Sequence, residues 1–140
     1  MGAGELTVRG LTTRPLVTVY PDETLRAVAE TMTDEVIGAV VVRGERPPIA
    51  PGVRPLGIVS ERDVVAAVAQ GRDLDTIRAE DVMTMTLATA EPDESLAAVA
   101  AQMVDNEIRH MPLVTGGVVV GLVSERDVLR ALLSETARRE

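Results

Sequence analysis

The chain lacks several residue types on which enzymes and metal sites commonly depend. It has no cysteine, lysine, phenylalanine or tryptophan, and only one tyrosine and one histidine among its 140 residues. Without cysteine there are no disulfides and no thiolate nucleophile, and a single histidine offers no zinc-type ligand spacing. Without lysine there is no Gly-x-x-x-x-Gly-Lys phosphate loop. We therefore expect a protein that is not an enzyme and that requires no metal or cofactor.

Long apolar runs and basic clusters are missing as well. No apolar run approaches the roughly 20 residues that a membrane helix needs, and residues 1–5 show no basic stretch leading into an apolar one. The formal net charge of −8 disfavours binding to nucleic acid. All 14 basic residues are arginine, which suits bidentate phosphate contacts but is also expected from coding bias. We expect a cytoplasmic protein that binds neither a membrane nor nucleic acid.

What the chain does contain is an internal repeat. Residues 8–43 align with 79–114 at an offset of 71, and 57–64 align with 121–128 at an offset of 64. The first copy therefore carries seven extra residues between its two blocks. Proline and glycine in residues 44–52 predict an exposed loop at that place.

Hydrophobic periodicity predicts the order βαββα in each copy. The first helix of each copy has apolar residues at positions i, i+3, i+4 and i+7, which form one stripe. Asp22 and Asp93 are placed to cap these helices, and residues 115–117 predict a hairpin turn. The remaining predicted strands and helices lie at 16–20, 37–42, 55–59 and 61–70 in the first copy, and at 87–91, 111–114, 118–123 and 125–138 in the second.

Each copy is too short to bury much surface alone, at about 55 residues. The sequence therefore predicts an α/β (α+β) fold in which two repeats pack pseudo-twofold through their sheets. The predicted repeats are residues 8–72 and 73–138, and residues 74–83 link them.

The motif Gly-x-Val-Ser-Glu-Arg-Asp occurs twice, each time where a predicted strand meets a helix. A helix N-terminus presents backbone N–H groups and a partial positive charge, which attract phosphate. Asp63 and Asp127 are suited to accept hydrogen bonds from ribose hydroxyls, and the glycine of the motif would admit a ligand close to the strand. The Ser-x-x-Asp spacing is also close to a capping box, which stabilises a helix without any ligand. Repetition of the whole motif, with an arginine that capping does not require, favours a ligand.

Several of these elements resemble the CBS-domain family, and specifically the tandem pair known as a Bateman module found in stand-alone CBS domain proteins. They are Asp-Val-Met-Thr at 81–84, Pro-Asp-Glu before each first helix, Ile-Arg-His-Met-Pro-Leu at 108–113 and the doubled motif. The resemblance covers residues 8–137. It implies two βαββα units whose inter-repeat clefts bind AMP, ADP, ATP, S-adenosylmethionine or NAD.

The resemblance also implies roles for individual residues. The expected ribose and phosphate contacts are Ser60, Arg62, Asp63, Arg109, His110, Ser124, Arg126 and Asp127. The expected base-flanking residues are Val8, Ile37, Ile58, Ala79, Ile108 and Leu122. The first copy has Gly38 and Ala39 where the second has Arg109 and His110, so the two sites are not equivalent. His110 is equally consistent with a strand residue whose ring is satisfied by its neighbours.

Two functions follow from these patterns. The first is a regulatory sensor that binds an adenine nucleotide or another adenosyl ligand and signals by conformational change to an unknown protein effector. The alternative is a constitutive dimerisation or assembly module without a small-molecule ligand. The resemblance further implies a homodimer, and the apolar residues within 64–68 and 128–133 are its predicted surfaces unless they pack inside the chain.

Overall fold

The protein alternates short strands with helices in two similar halves. A computed structural model describes residues 6–11, 15–44, 55–85 and 88–139, so the predicted loop lies outside the described residues except for Gly44. The first half contains β1 (Thr18–Val19), α1 (Leu25–Glu35), β2 (Ala39–Arg43), β3 (Pro55–Ser60), α2 (Glu61–Ala69) and α3 (Ala79–Val82). The second contains α4 (Leu96–Asp105), β4 (His110–Thr115), β5 (Val118–Ser124) and α5 (Glu125–Arg139).

Each half is built on a hairpin of two antiparallel strands. In the first half β2 pairs with β3, and the short β1 joins the other edge of β2 in parallel. In the second half β4 pairs with β5. Gly116 and Gly117 both have positive φ, 59° and 82°, which the tight turn between β4 and β5 requires. The predicted α/β class and the predicted turn are confirmed.

The strand predicted at 87–91 is wrong over its described residues, 88–91, where only Ala90 makes a bridge, to Leu113. In the first copy the N–H of Val41 donates to the carbonyl of Val17 at 3.4 Å, beside β1. The residue equivalent to Val41 in the second copy is Pro112, which has no N–H to donate. The parallel ladder therefore cannot extend past Ala90 on that side.

The first helix of each copy is capped two residues later than predicted. Thr24 and Ser95, not Asp22 and Asp93, hold the N-cap positions, and their hydroxyls accept the backbone N–H three residues on at 3.2 and 3.1 Å. Both caps have extended backbone directly before the helix. Only a side chain at that position reaches the first-turn N–H groups, which explains the difference.

The chain forms two compact units that exchange their leading segments. Described residues up to Leu16 belong with those from Ala88 onward, here called the second-copy unit, and the described residues of 17–87 form the first-copy unit. The N–H of Leu96 donates to the carbonyl of Leu6 at 2.8 Å, and the N–H of Leu25 donates to that of Ile77 at the same distance. The segment that precedes each copy thus pairs with the first helix of the other copy.

Each unit has its own aliphatic core. The first-copy core is centred on Leu25, Val28, Val40, Val42 and Val59. The second-copy core is centred on Val8, Leu96, Val99, Met111, Leu113 and Val123. Because no aromatic side chain is present in either, branched aliphatic residues and methionine fill the space.

Helices α2 and α5 each bury one face and expose another. Ala67 and Val128 point into the two cores. The exposed residues, here called the outer apolar faces, are Val65 and Val68 on α2 and Leu129, Leu132 and Leu133 on α5, which are between 38% and 70% exposed. Among the described helices, none combines the length and apolar content needed to cross a membrane.

Candidate functional site

Each copy of the repeated motif lies at the junction of a strand and a helix. β3 ends at Ser60 and β5 ends at Ser124, and in both cases the helix begins at the next residue. The hairpin register places Ala39 opposite Ser60 and His110 opposite Ser124. This register depends on a bulge in each hairpin, next to Val42 in the first copy and to Leu113 in the second.

Both motifs form capping boxes. The Ser60 N–H donates to Asp63 Oδ2 at 2.8 Å, and the Ser60 hydroxyl donates to the same oxygen at 3.1 Å. In the second copy the Ser124 N–H donates to Asp127 Oδ2 at 2.9 Å, while the Asp127 N–H donates to Ser124 Oγ at 3.1 Å. The structural role that the sequence left open is therefore present in both copies.

The caps leave part of each carboxylate unused. A carboxylate offers about four acceptor positions on two oxygens, and the cap engages only Oδ2. No described residue donates to Oδ1 of Asp63 or Asp127, and both side chains are partly exposed. Capping a helix and accepting a hydroxyl of a ligand are therefore compatible functions of the same aspartate.

The first turn of each helix offers fewer free donors than an uncapped helix would. The Glu125 N–H donates to the carbonyl of Arg109 at 2.7 Å, and the Glu61 N–H donates to that of Gly38 at 2.9 Å. In α5 the Asp127 N–H is used by the serine cap. Within the described part of the chain, no group accepts from the backbone N–H of Arg126. An anion at this junction would depend on one backbone donor and on arginine side chains.

The second copy gathers the predicted polar residues at one junction. The pairing of His110 with Ser124 brings the adjoining Arg109 beside the start of α5. The Arg109 Nε lies 4.0 Å from a carboxylate oxygen of Glu125, and both side chains are largely exposed, at 70% and 57%. Glu125 was not among the predicted site residues, because its proximity to Arg109 depends on the bulge in the hairpin.

The first copy brings together a smaller set. Ser60, Arg62 and Asp63 lie at the start of α2, but the facing strand presents Gly38 and the buried Ala39. The register thus places different residues opposite Ser60 and Ser124. Neither Gly38 nor Ala39 offers a charged or hydrogen-bonding side chain to a phosphate.

The predicted base-flanking residues are mostly apolar core or near-core positions. Val8 and Ala79 are fully buried in the second-copy and first-copy cores. The partly exposed members are Ile37, Ile58, Ile108 and Leu122. Contacts of these six residues with a base remain predictions.

Gly57 is required by the neighbouring backbone. A Cβ at this position would lie 2.7 Å from the carbonyl oxygen of Thr84. Thr84 pairs with Ile58 through two backbone hydrogen bonds of 2.9 Å. The space beside Gly57 that was predicted to admit a ligand is therefore filled by the backbone of Thr84. Thr84 is exposed beside Ile58 and belongs to the Asp-Val-Met-Thr motif, but it was not predicted as a site residue.

Comparisons with known proteins agree on one family. The model of the CBS domain family matches residues 8–70 and 79–134. An uncharacterised protein of Methanopyrus kandleri is 34% identical over 84% of the chain, and a mitochondrial CBS domain-containing protein of Arabidopsis thaliana is 34% identical over 81%. The chain spans 58% and 55% of the lengths of these two relatives.

Two solved structures share the fold over nearly their whole length. A CBS domain protein from Pyrobaculum aerophilum, complexed with AMP, is 32% identical with a TM-score of 0.81, covering 95% of this chain and 99% of that one. A CBS domain pair in complex with 5′-methylthioadenosine and S-adenosyl-L-methionine is 25% identical with a TM-score of 0.78, covering 90% and 98%.

Proposed function

The chain belongs to the CBS-domain family as a tandem pair, and we propose that it is a non-catalytic regulatory module that binds an adenosyl ligand. Binding would stabilise one conformation of the chain over another, which a protein effector would then detect. The ligand is an adenine nucleotide such as AMP, ADP or ATP, with S-adenosylmethionine and NAD as further candidates. The similar structures in complex with AMP and with S-adenosylmethionine support this class of ligand.

One observation carries the proposal: the bulged register of β4 and β5 that places His110 opposite Ser124. It brings Arg109, the Arg126 N–H and the unused oxygen of Asp127 to one strand–helix junction. In the proposed complex Asp127 accepts the ribose hydroxyls, and Ser124 adds a contact to ribose or phosphate. Arg109, His110 and Arg126 contact a phosphate. We propose the first-copy residues Ser60, Arg62 and Asp63 for the corresponding contacts at the weaker site.

The test is calorimetric titration of the protein with AMP, ATP, S-adenosylmethionine and NAD. We expect saturable binding of at least one ligand, and loss of most of that affinity in the Asp127→Ala variant. Ser95→Ala is the matched control, because it removes the cap of α4, away from the junction, at a similar cost of about 0.5–2 kcal/mol. If none of the four ligands binds, or if both variants bind as well as the unchanged protein, the proposal is wrong.

A second candidate function is a constitutive assembly module, and the capping boxes favour it. In these boxes Ser60, Asp63, Ser124 and Asp127 stabilise the starts of α2 and α5 without any ligand. This candidate predicts that Asp127→Ala lowers the melting temperature while no adenosyl ligand raises it. Ligand-dependent melting of the unchanged protein would exclude it, because a ligand stabilises only the state that binds it.

We propose in either case that the chain forms a homodimer through its outer apolar faces. Val65 and Val68 on α2 are equivalent to Leu129 and Leu132 on α5, and Leu133 extends the second stripe. Apolar stripes of this kind mark interaction surfaces more often than isolated exposed residues do. Light scattering should give twice the chain mass of 14.9 kDa. Leu133→Glu should shift the mass toward the monomer, and Val120→Glu, an exposed strand position, is its control.

A further inference from the structure

The two strand–helix junctions differ in their balance of charge. The second-copy junction holds Arg109, whose Nε lies 4.0 Å from a carboxylate oxygen of Glu125, together with Arg126 and the capping carboxylate of Asp127. The first-copy junction has the same two carboxylates, Glu61 and Asp63, but only one arginine, because Gly38 replaces the other. Two cations against two anions leave little surplus positive charge for a ligand that carries several phosphates.

Glu125 is the carboxylate of the second junction that has no capping task. Asp127 is fixed by its hydrogen bond from Ser124, whereas Glu125 is exposed and its carboxylate lies 4.0 Å from Arg109. A phosphate that binds Arg109 must share that guanidinium with Glu125. Beyond Arg109 and Arg126, the described residues of this junction include no further arginine, so each additional phosphate adds repulsion from the glutamate without adding an arginine contact.

We infer that Glu125 limits the negative charge of the ligand, so that the second-copy site selects adenosyl ligands with no more than one phosphate. This inference rests on the proposed function. Glu125 acts here as a specificity-determining residue through its contact with Arg109. Its role differs from that of Asp127, which contributes affinity for every ligand that has a ribose.

The test compares the affinities of AMP and ATP in the Glu125→Gln variant and the unchanged protein. We expect AMP to bind about two- to five-fold more tightly in the variant, the range of an exposed ion pair. ATP should gain more, about ten-fold, because it carries more charge near the removed carboxylate. Adenosine, which is uncharged, should be unaffected, and added salt should reduce the gains.

Glu61→Gln is the matched control, since it makes the same change of charge at the equivalent position of the first copy. We expect it to leave the ratio of ATP to AMP affinity within two-fold of the unchanged protein. The inference is overturned if Glu125→Gln leaves that ratio unchanged, or if Glu61→Gln alters it equally. Absence of binding by the unchanged protein, or full binding by Asp127→Ala, would instead refute the proposed function on which it rests.

Discussion

The two copies of the repeat build the same junction and then place different residues in front of it. In both, a strand ends at a serine, the next helix is capped by a serine–aspartate pair, and a bulged hairpin sets the facing strand. The facing residues are Gly38 and Ala39 in one copy and Arg109 and His110 in the other. The shared residues stabilise the helix start, and the differing residues determine the charge offered to a ligand.

Truncation of the equivalent core leucines should give the largest effects. Leu25 and Leu96 are both buried at the start of a first helix, and each substitution by alanine should lower the free energy of unfolding by about 2–5 kcal/mol. Denaturant unfolding followed by circular dichroism measures the change. Leu129 is 55% exposed on an outer apolar face, so Leu129→Ala should lower the free energy of unfolding of a single chain by much less. Values for Leu25→Ala and Leu96→Ala that differ by more than about 2 kcal/mol would show that the two cores are not equivalent.

Removal of the arginine that distinguishes the second copy should affect only ligands with a phosphate. A hydrogen bond to a charged group contributes about 1.5–3 kcal/mol, so Arg109→Ala should weaken AMP binding about ten-fold or more. Adenosine binding should not change. Titration calorimetry measures both, with Arg130→Ala, an exposed arginine further along α5, as the control of equal charge. An equal loss for AMP and adenosine would mean that Arg109 shapes the site and does not contact phosphate.

The residues that follow α1 and α4 should show a smaller difference in stability between the two copies. Val36 and Glu107 are equivalent and both adopt left-handed backbone, with φ of 56° and 53°. This conformation is unfavourable for a side chain, most of all for a β-branched one. Val36→Gly should therefore stabilise the protein by about 1 kcal/mol, and Glu107→Gly by less. Melting temperatures measure both, and destabilisation by Val36→Gly would show that the valine makes contacts worth more than the strain.

The smallest expected effect comes from an ion pair that only the first copy has. The hydrogen bond from the Arg26 guanidinium lowers the pKa of Asp75, and the equivalent of Arg26 in the second copy is Ala97. Because the pKa is lower in the folded state, the pair stabilises the protein above the usual aspartate range, and this is lost as the pH falls through the lowered pKa.

Asp75→Asn should therefore lower the melting temperature slightly near pH 7, and this difference should shrink as the pH falls below the usual aspartate range. Both side chains are exposed, so added salt should reduce the difference as well. A difference that persists at the lower pH would assign the effect to the hydrogen bonds of residue 75 and not to its charge.

The repeat and its helix periodicity predicted most of the fold. The two offsets located the strand–helix junctions at Ser60 and Ser124, and the glycine pair located the turn between β4 and β5. The pattern at 87–91 predicted a strand, but Pro112 in the facing strand has no N–H to donate, and among residues 88–91 only the bridge at Ala90 forms. The sequence also favoured Asp22 and Asp93 as the N-caps of α1 and α4. Aspartate, serine and threonine are all good N-cap residues, and only the backbone conformation identifies Thr24 and Ser95 as the caps.

The candidate site was predicted by residue type but not by register. Spacing from the turn at Gly116 and Gly117 alone would pair His110 with Val123, and the bulge moves it to Ser124. A one-residue shift of this kind moves a side chain to the other face of a hairpin. For the same reason the contact of Arg109 with Glu125, and the filling of the space above Gly57 by Thr84, were visible only in three dimensions.

The exchange of leading segments sets an order for folding during synthesis. The first-copy core is complete once the chain has been made as far as Met83. Val8, which is fully buried in the finished protein, must wait for its partner Glu94, and Leu6 must wait for Leu96. Residues 6–11 therefore stay in water while the first-copy unit closes, and they are covered only after the second-copy unit has been synthesised.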